Sequence, residues 1–183
     1  DQFAARQWAQ RRLQAEGIAA LEALAATARE GSLEASHRAV DLLIAWTESE
    51  SHQLRILSLE QLAKLPHRPT ESALAEEALA DVRQAAALSR LRAAGAVVVA
   101  DKGSLATHRN QLPLQIVIGP NWRGGEAGLA DLADVHTAAA VSFHSAPIGE
   151  SAVPQLVKLD HIQRLEFFGT TISDEAVETL KAE

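Results

Sequence analysis

A fixed spacing near the C-terminus constrains this chain more than any other feature. Three short segments, Ile116-Val117-Ile118, Val141-Ser142-Phe143 and Leu165-Glu166-Phe167, are each followed, after turn-rich residues, by an apolar pair: Leu129/Leu132, Val153/Leu156 and Val177/Leu180. The pairs recur every 24 residues, and the segments recur at 25 and then 24. A unit of this length, with a short strand and then a helix, cannot bury its apolar face alone. Stacking like units buries it, so the pattern predicts a solenoid. Such folds present surfaces for binding more readily than pockets for chemistry.

Composition narrows the field further. Of 183 residues, 47% are apolar and 22% charged, which predicts a packed core and excludes wholesale disorder. A net charge of −7 opposes phosphate backbones, so no nucleic-acid partner is expected. With no cysteine, disulfides, thiolate metal sites and cysteine nucleophiles are excluded. That absence leaves the compartment open, extracytoplasmic or cytoplasmic. There is no methionine, even at position 1, so the expectation is a start set by processing or design, with any leader or anchor upstream out of view. No apolar run approaches the roughly 18 residues needed to span a bilayer, so no membrane insertion of this segment is expected.

Composition shifts near Gly95. Residues 1–94 are rich in helix-favouring Ala, Leu, Glu, Gln and Arg. Apolar positions recur at helical spacing, as in Ile18, Leu21, Ala25 and Ala28, then Val40, Leu43 and Ile44, then Leu54, Leu57, Leu62 and Leu65. Gly17 and Gly31 suit left-handed positions after helices. Ser32, Ser51 and Thr70 suit N-caps, and Pro66 and Pro69 separate the fourth helix from the fifth. Helices are therefore expected over about 2–16, 18–30, 33–48, 52–65 and 71–94, with Trp8 and Trp46 in their core. The run Phe3…Arg6…Ala9…Leu13…Gly17-Ile18-Ala19-Ala20-Leu21…Leu24, then Leu33-Glu34…Arg38-Ala39…Leu42-Leu43, resembles a HEAT-type helical repeat over roughly residues 1–65. That resemblance implies paired helices stacked into a scaffold for partner proteins. An unclassified helical bundle is the alternative.

Beyond Gly95, Ala96-Val97-Val98-Val99-Ala100 is short, β-branched and bounded by turn residues, so it reads as a strand. Residues 102–113 read as a loop. The segments Val141-Ser142-Phe143…Ile148…Val153…Leu156…Leu159 and Leu165-Glu166-Phe167…Ile172…Val177…Leu180 resemble leucine-rich repeats over about residues 114–183. The resemblance implies a parallel sheet over a core, with the middle residue of each strand pointing out from the concave face, where ligands bind. The chain departs from that family where Pro147 or Thr171 stands in place of the Asn that often closes the turn. Another departure is one extra residue around Trp122-Arg123-Gly124-Gly125. The expected fold is α/β: a helical-repeat N-terminal region (1–94) packed on a short leucine-rich-repeat solenoid with a parallel sheet (95–183). Residues 96–101 would form its capping strand, and the two regions would make one continuous body.

Candidate chemistry is sparse. Asp131, Asp134 and His136, or Asp160 and His161, combine imidazole and carboxylate, but their spacing matches no helical metal motif; polar surface turns account for both groups. Ser142, His144 and Glu166 form a Ser/His/Glu set by repeat alignment, without a strained elbow or oxyanion donors implied by the sequence. Gly124, Gly125 and Gly128 lack the Lys-Ser/Thr of a phosphate loop and read as a turn admitting close approach. Trp122 aligns near Ile148 and Ile172, which predicts burial; an exposed Trp122-Arg123 pair would instead be a binding anchor.

Alternation places three rows on the outer face: Gln115, Ala140, Arg164; Val117, Ser142, Glu166; and Gly119, His144, Phe168. The expected function is a non-enzymatic protein–protein interaction module with no metal and no cofactor, binding a protein or peptide through Ser142, His144, Arg164, Glu166 and Phe168. A solvated face without a ligand is the plain alternative for these rows. Self-association through the edge strand 164–168 is a further expected outcome. A structural or regulatory segment of a larger protein, contacting its own domains, is the rival reading of the whole chain. If Ser142 is an ordinary outward residue, Ser142→Ala costs less than about 0.5 kcal/mol.

Overall fold

A computed structural model describes residues 16–100 and 113–182. It is a mixed α/β structure, with a mainly helical first part and a mostly parallel sheet in the second. Contacts divide the chain into two compact units, with the boundary between Asp81 and Val82, inside a long helix.

In the first unit, a 3-10 turn at Gly17–Ala20 leads into α1 (Leu21–Glu30), followed by α2 (Leu33–Thr47), α3 (His52–Ala63) and the start of α4 (Pro69–Ala93). The expected helix at 2–16 lies outside the described residues apart from its last position. Ser32 and Ser51 cap as their types predict, each side chain accepting from an amide three residues on, of Ala35 and Leu54 respectively. Thr70 does not cap, because the helix already begins at Pro69, whose fixed φ suits a first helical turn. Gly31 is extended rather than left-handed (φ −68°).

Periodic apolar positions bury one stripe per helix. Leu21, Leu24 and Ala28 of α1 meet Val40, Leu43 and Trp46 of α2, with Leu54, Leu59 and Leu62 of α3 in the same core. Each large aliphatic side chain fully buried there is worth about 1.5–3 kcal/mol over an exposed one. Ile18 and Ile44, which fit the periodicity, lie on the exposed flank instead. Trp8 falls outside the described residues.

The second unit opens with the rest of α4. This helix ends in a Schellman arrangement: the Ala96 amide bonds the Leu91 carbonyl and the Gly95 amide bonds that of Arg92. Gly95 takes a positive φ of 103°, and a Cβ there would meet the Asn121 carbonyl oxygen at 2.7 Å, so the helix-to-strand turn needs glycine.

Four strands follow in the order β1 (Val97–Ala100), β2 (Leu114–Ile118), β3 (Ala138–His144), β4 (Arg164–Phe168). The first pair is antiparallel and the other two are parallel. Ile116, Val141 and Leu165 sit side by side, as do Ile118, Phe143 and Phe167. The strands thus pair in the register that the spacing predicts.

The return segments are short. A 3-10 stretch at Ala127–Asp134 follows β2, a 3-10 turn at Glu150–Ala152 runs into α5 (Val153–Leu156) after β3, and α6 (Asp174–Ala182) follows β4. Their apolar side chains share a core with Ala87, Leu88 and Leu91 of α4 and with the inner face of the sheet: Ile116, Ile118, Val141 and Phe143. Among the described residues, no helix is long and apolar enough to cross a membrane.

Candidate functional site

Side chains alternate along a strand, so turning Val141 and Phe143 inward presents Ala140, Ser142 and His144 on the opposite face. The pairing then brings the residues predicted from sequence into adjacent rows. Ser142 lies between Val117 and Glu166, Ala140 between Gln115 and Arg164, and His144 beside Phe168.

A hydrogen-bonded chain crosses these rows. Gln115 Nε2 donates to Ser142 Oγ at 3.0 Å, and Ser142 Oγ donates to Glu166 Oε2 at 2.6 Å. The second carboxylate oxygen, Oε1, receives Arg164 Nε at 3.2 Å. A serine hydroxyl has one proton to give, and here it goes to a carboxylate, which makes a short charge-assisted bond. The chain ends in the half-exposed guanidinium of Arg164.

Ser142 is therefore not the solvated outward residue expected; it is 0% exposed. The cause is local. On either side it has a longer polar side chain, Gln115 and Glu166, bonded directly to its hydroxyl. Alternation gives the face a residue occupies; the size and reach of its neighbours decide whether water gets there.

Two aromatic pairs tie β3 to β4 on opposite faces. Inside, Phe143 and Phe167 stack with centroids 5.2 Å apart and rings 3° from parallel. Outside, His144 stacks on Phe168 at 4.8 Å and 20°. Cross-strand aromatic pairs of this kind stabilise sheets. The outer pair stays open to solvent, with Phe168 51% exposed. His144 thus serves as a stacking partner, and among the described residues no hydrogen bond joins it to Ser142. The Ser/His/Glu set shares one face without the bonding of a catalytic relay.

The other suggestive residues have structural occupations. Asp131 and Asp134 face Arg90 of α4: Arg90 Nη2 lies 2.8 Å from Asp131 and 3.9 Å from Asp134. A second bond from Nε to Asp131 at 2.9 Å raises the Arg90 pKa, with burial opposing and the two carboxylate charges adding. Among the described residues, no group of three His, Asp or Glu could hold a metal. At the next junction, His161 Nδ1 lies 3.6 Å from Asp160, and its buried Nε2 has no hydrogen-bond partner among the described residues.

Trp122 is buried, and its indole N–H donates to the Gly125 carbonyl at 2.9 Å. The glycines around it make room for the ring. A Cβ at Gly128 would lie 2.9 Å from the indole, and one at Gly124 would lie closer still. The close approach expected at this turn is thus that of a side chain.

Sequence reasoning missed two ties between α4 and the sheet unit. One is the Arg90 ion pair. The other is Gln84, whose Oε1 accepts from both the amide and the hydroxyl of Thr137 at 2.9 Å. Neither residue interrupts the helical pattern, so neither leaves a signal in one sequence. No protein-family model, curated protein or solved structure matches this chain.

Proposed function

We propose that this chain is a non-enzymatic interaction module that binds a protein or peptide through the outer face and free edge of β4, on a sheet built like a short leucine-rich-repeat stack. The observation that carries this reading is the exposed Phe168 ring. It rests on His144 beside the Arg164–Glu166 pair, on the last strand of the sheet among the described residues. An exposed aromatic next to a paired arginine has the composition of an interface centre. A terminal strand also offers backbone groups to an added strand.

Several features support the repeat-like reading of the sheet. Ser145 and Gly169, 24 residues apart, both take left-handed conformations just after their strands (φ 50° and 64°). The Thr171 hydroxyl donates to the Ile148 carbonyl of the preceding unit at 2.9 Å, tying the turns without an Asn. In this reading Arg164, Phe168 and His144 make the contacts, Glu166 orients Arg164, and Ser142 holds Glu166 from beneath. It requires no cofactor, metal or catalytic group.

The test is selection of binding peptides from a random display library on the full chain, with self-association followed in parallel by sedimentation. Selected peptides, or self-association, should weaken by at least about thirtyfold on Phe168→Asp, as for loss of a hot spot, with the circular dichroism spectrum unchanged. No enrichment and no self-association, or binding indifferent to Phe168→Asp, would overturn the proposal.

A further inference from the structure

The helical unit holds a pocket unrelated to the sheet surface. It has a volume of about 430 Å3 and lies where the end of α1 and the start of α2 meet the segment after α3. That size falls within the roughly 300–1,000 Å3 common for small-ligand sites. Its lining includes Arg29, His37, His67 and Arg68 and, among the described residues, no carboxylate, in a chain whose net charge is −7. Leu65 is a buried apolar element of the wall, and Leu33 is 81% exposed. A leucine left so open in the lining of a cationic pocket is apolar surface without a partner.

The cations are partly pre-positioned. Arg68 Nη2 lies 2.7 Å from His37 Nδ1, and Nη1 lies 3.6 Å from Glu71. A guanidinium only donates, so His37 Nδ1 is the acceptor in that contact. Arg29 Nη1 donates to the neutral Gln61 side chain at 3.5 Å. Among the described residues, two lining arginines set against one contacting carboxylate leave one positive charge to be met, which suits a monoanion better than a dianion. The planar guanidinium matches the two oxygens of a carboxylate.

We propose that this pocket binds the carboxylate of a small organic acid. Arg68 and Arg29 take the carboxylate, and Leu33 and Leu65 receive the apolar body. A free acid and the C-terminus of a peptide share this chemistry. Calorimetric titration of the full chain with hexanoate and with N-acetyl-leucine separates the two, since the source is the better binder. Hexylamine and hexyl phosphate serve as controls of charge.

Saturable binding of at least one carboxylate is expected, with none for the amine. Binding should weaken about tenfold or more in Arg68→Gln and in Arg29→Gln. Arg29 is exposed, so the second variant keeps the test valid if the first perturbs folding. No saturable binding of either carboxylate, binding unchanged by Arg29→Gln in folded protein, or tighter binding of hexyl phosphate would each overturn the proposal.

Discussion

The third and fourth strands share a pattern and differ in burial. Val141, Phe143, Ile148 and Leu156 belong to the unit begun by β3, and all are fully or almost fully buried. Their counterparts 24 residues on, Leu165, Phe167, Ile172 and Leu180, are only half-buried and pack against the same core from its margin. The residue types are alike, so the difference comes from position. β3 is flanked by β2 and β4, whereas β4 has a described neighbour on one side only. In a stacked sheet a pattern specifies which face is apolar, and the next unit completes the burial.

Truncations should expose this contrast most clearly. Phe143→Ala should cost about 3–5 kcal/mol, since it empties a site at 0% exposure. Phe167→Ala should cost distinctly less, on the order of 1–2 kcal/mol, because part of that ring already meets water. Urea denaturation of the two variants measures the gap, and equal losses would break the comparison.

The next effect concerns the return segments. Leu156→Ala should cost about 2–5 kcal/mol and exceed Leu180→Ala, again by denaturant titration. A smaller effect is expected at the turn following β2. Gly124→Ala should cost about 1–3 kcal/mol, because the new methyl overlaps the Trp122 ring; a fall in thermal midpoint together with a shift in tryptophan emission would register it.

Ser142→Ala tests the outer row. It removes a bond to a charged acceptor and leaves Gln115 with one partner fewer. The cost should be about 1–2 kcal/mol, limited because Glu166 is partly open to water. A cost under about 0.5 kcal/mol would restore the solvated residue that alternation alone suggests. Smallest of all should be the effect of Phe168→Asp on stability, within about 0.5–1 kcal/mol, because little beyond the His144 stack is lost.

Much of this was legible in the sequence because it rests on local chemistry. The strand register follows from spacing, and two of the three predicted helix caps follow from serine. Trp122 and its glycines were readable as a tight turn, although not as a ring packed against backbone. The candidate site was legible as a set of rows, since pairing alone brings Gln115, Ser142, Glu166, Arg164, His144 and Phe168 together. The enclosure of Ser142 was not, because it depends on how far two neighbouring side chains reach across strands. Nor were the Arg90 and Gln84 ties, which join residues 41 and 53 positions apart and follow no period.

We propose that the partial burial of β4, the last strand among the described residues, goes with a surface that a partner covers. Amide hydrogen exchange of the full chain, with and without the most strongly enriched display peptide, tests it directly. Added protection is expected to concentrate at Arg164–Phe168 and the neighbouring end of β3 at His144. Protection at β1 or in the helical unit, with none at β4, would contradict it.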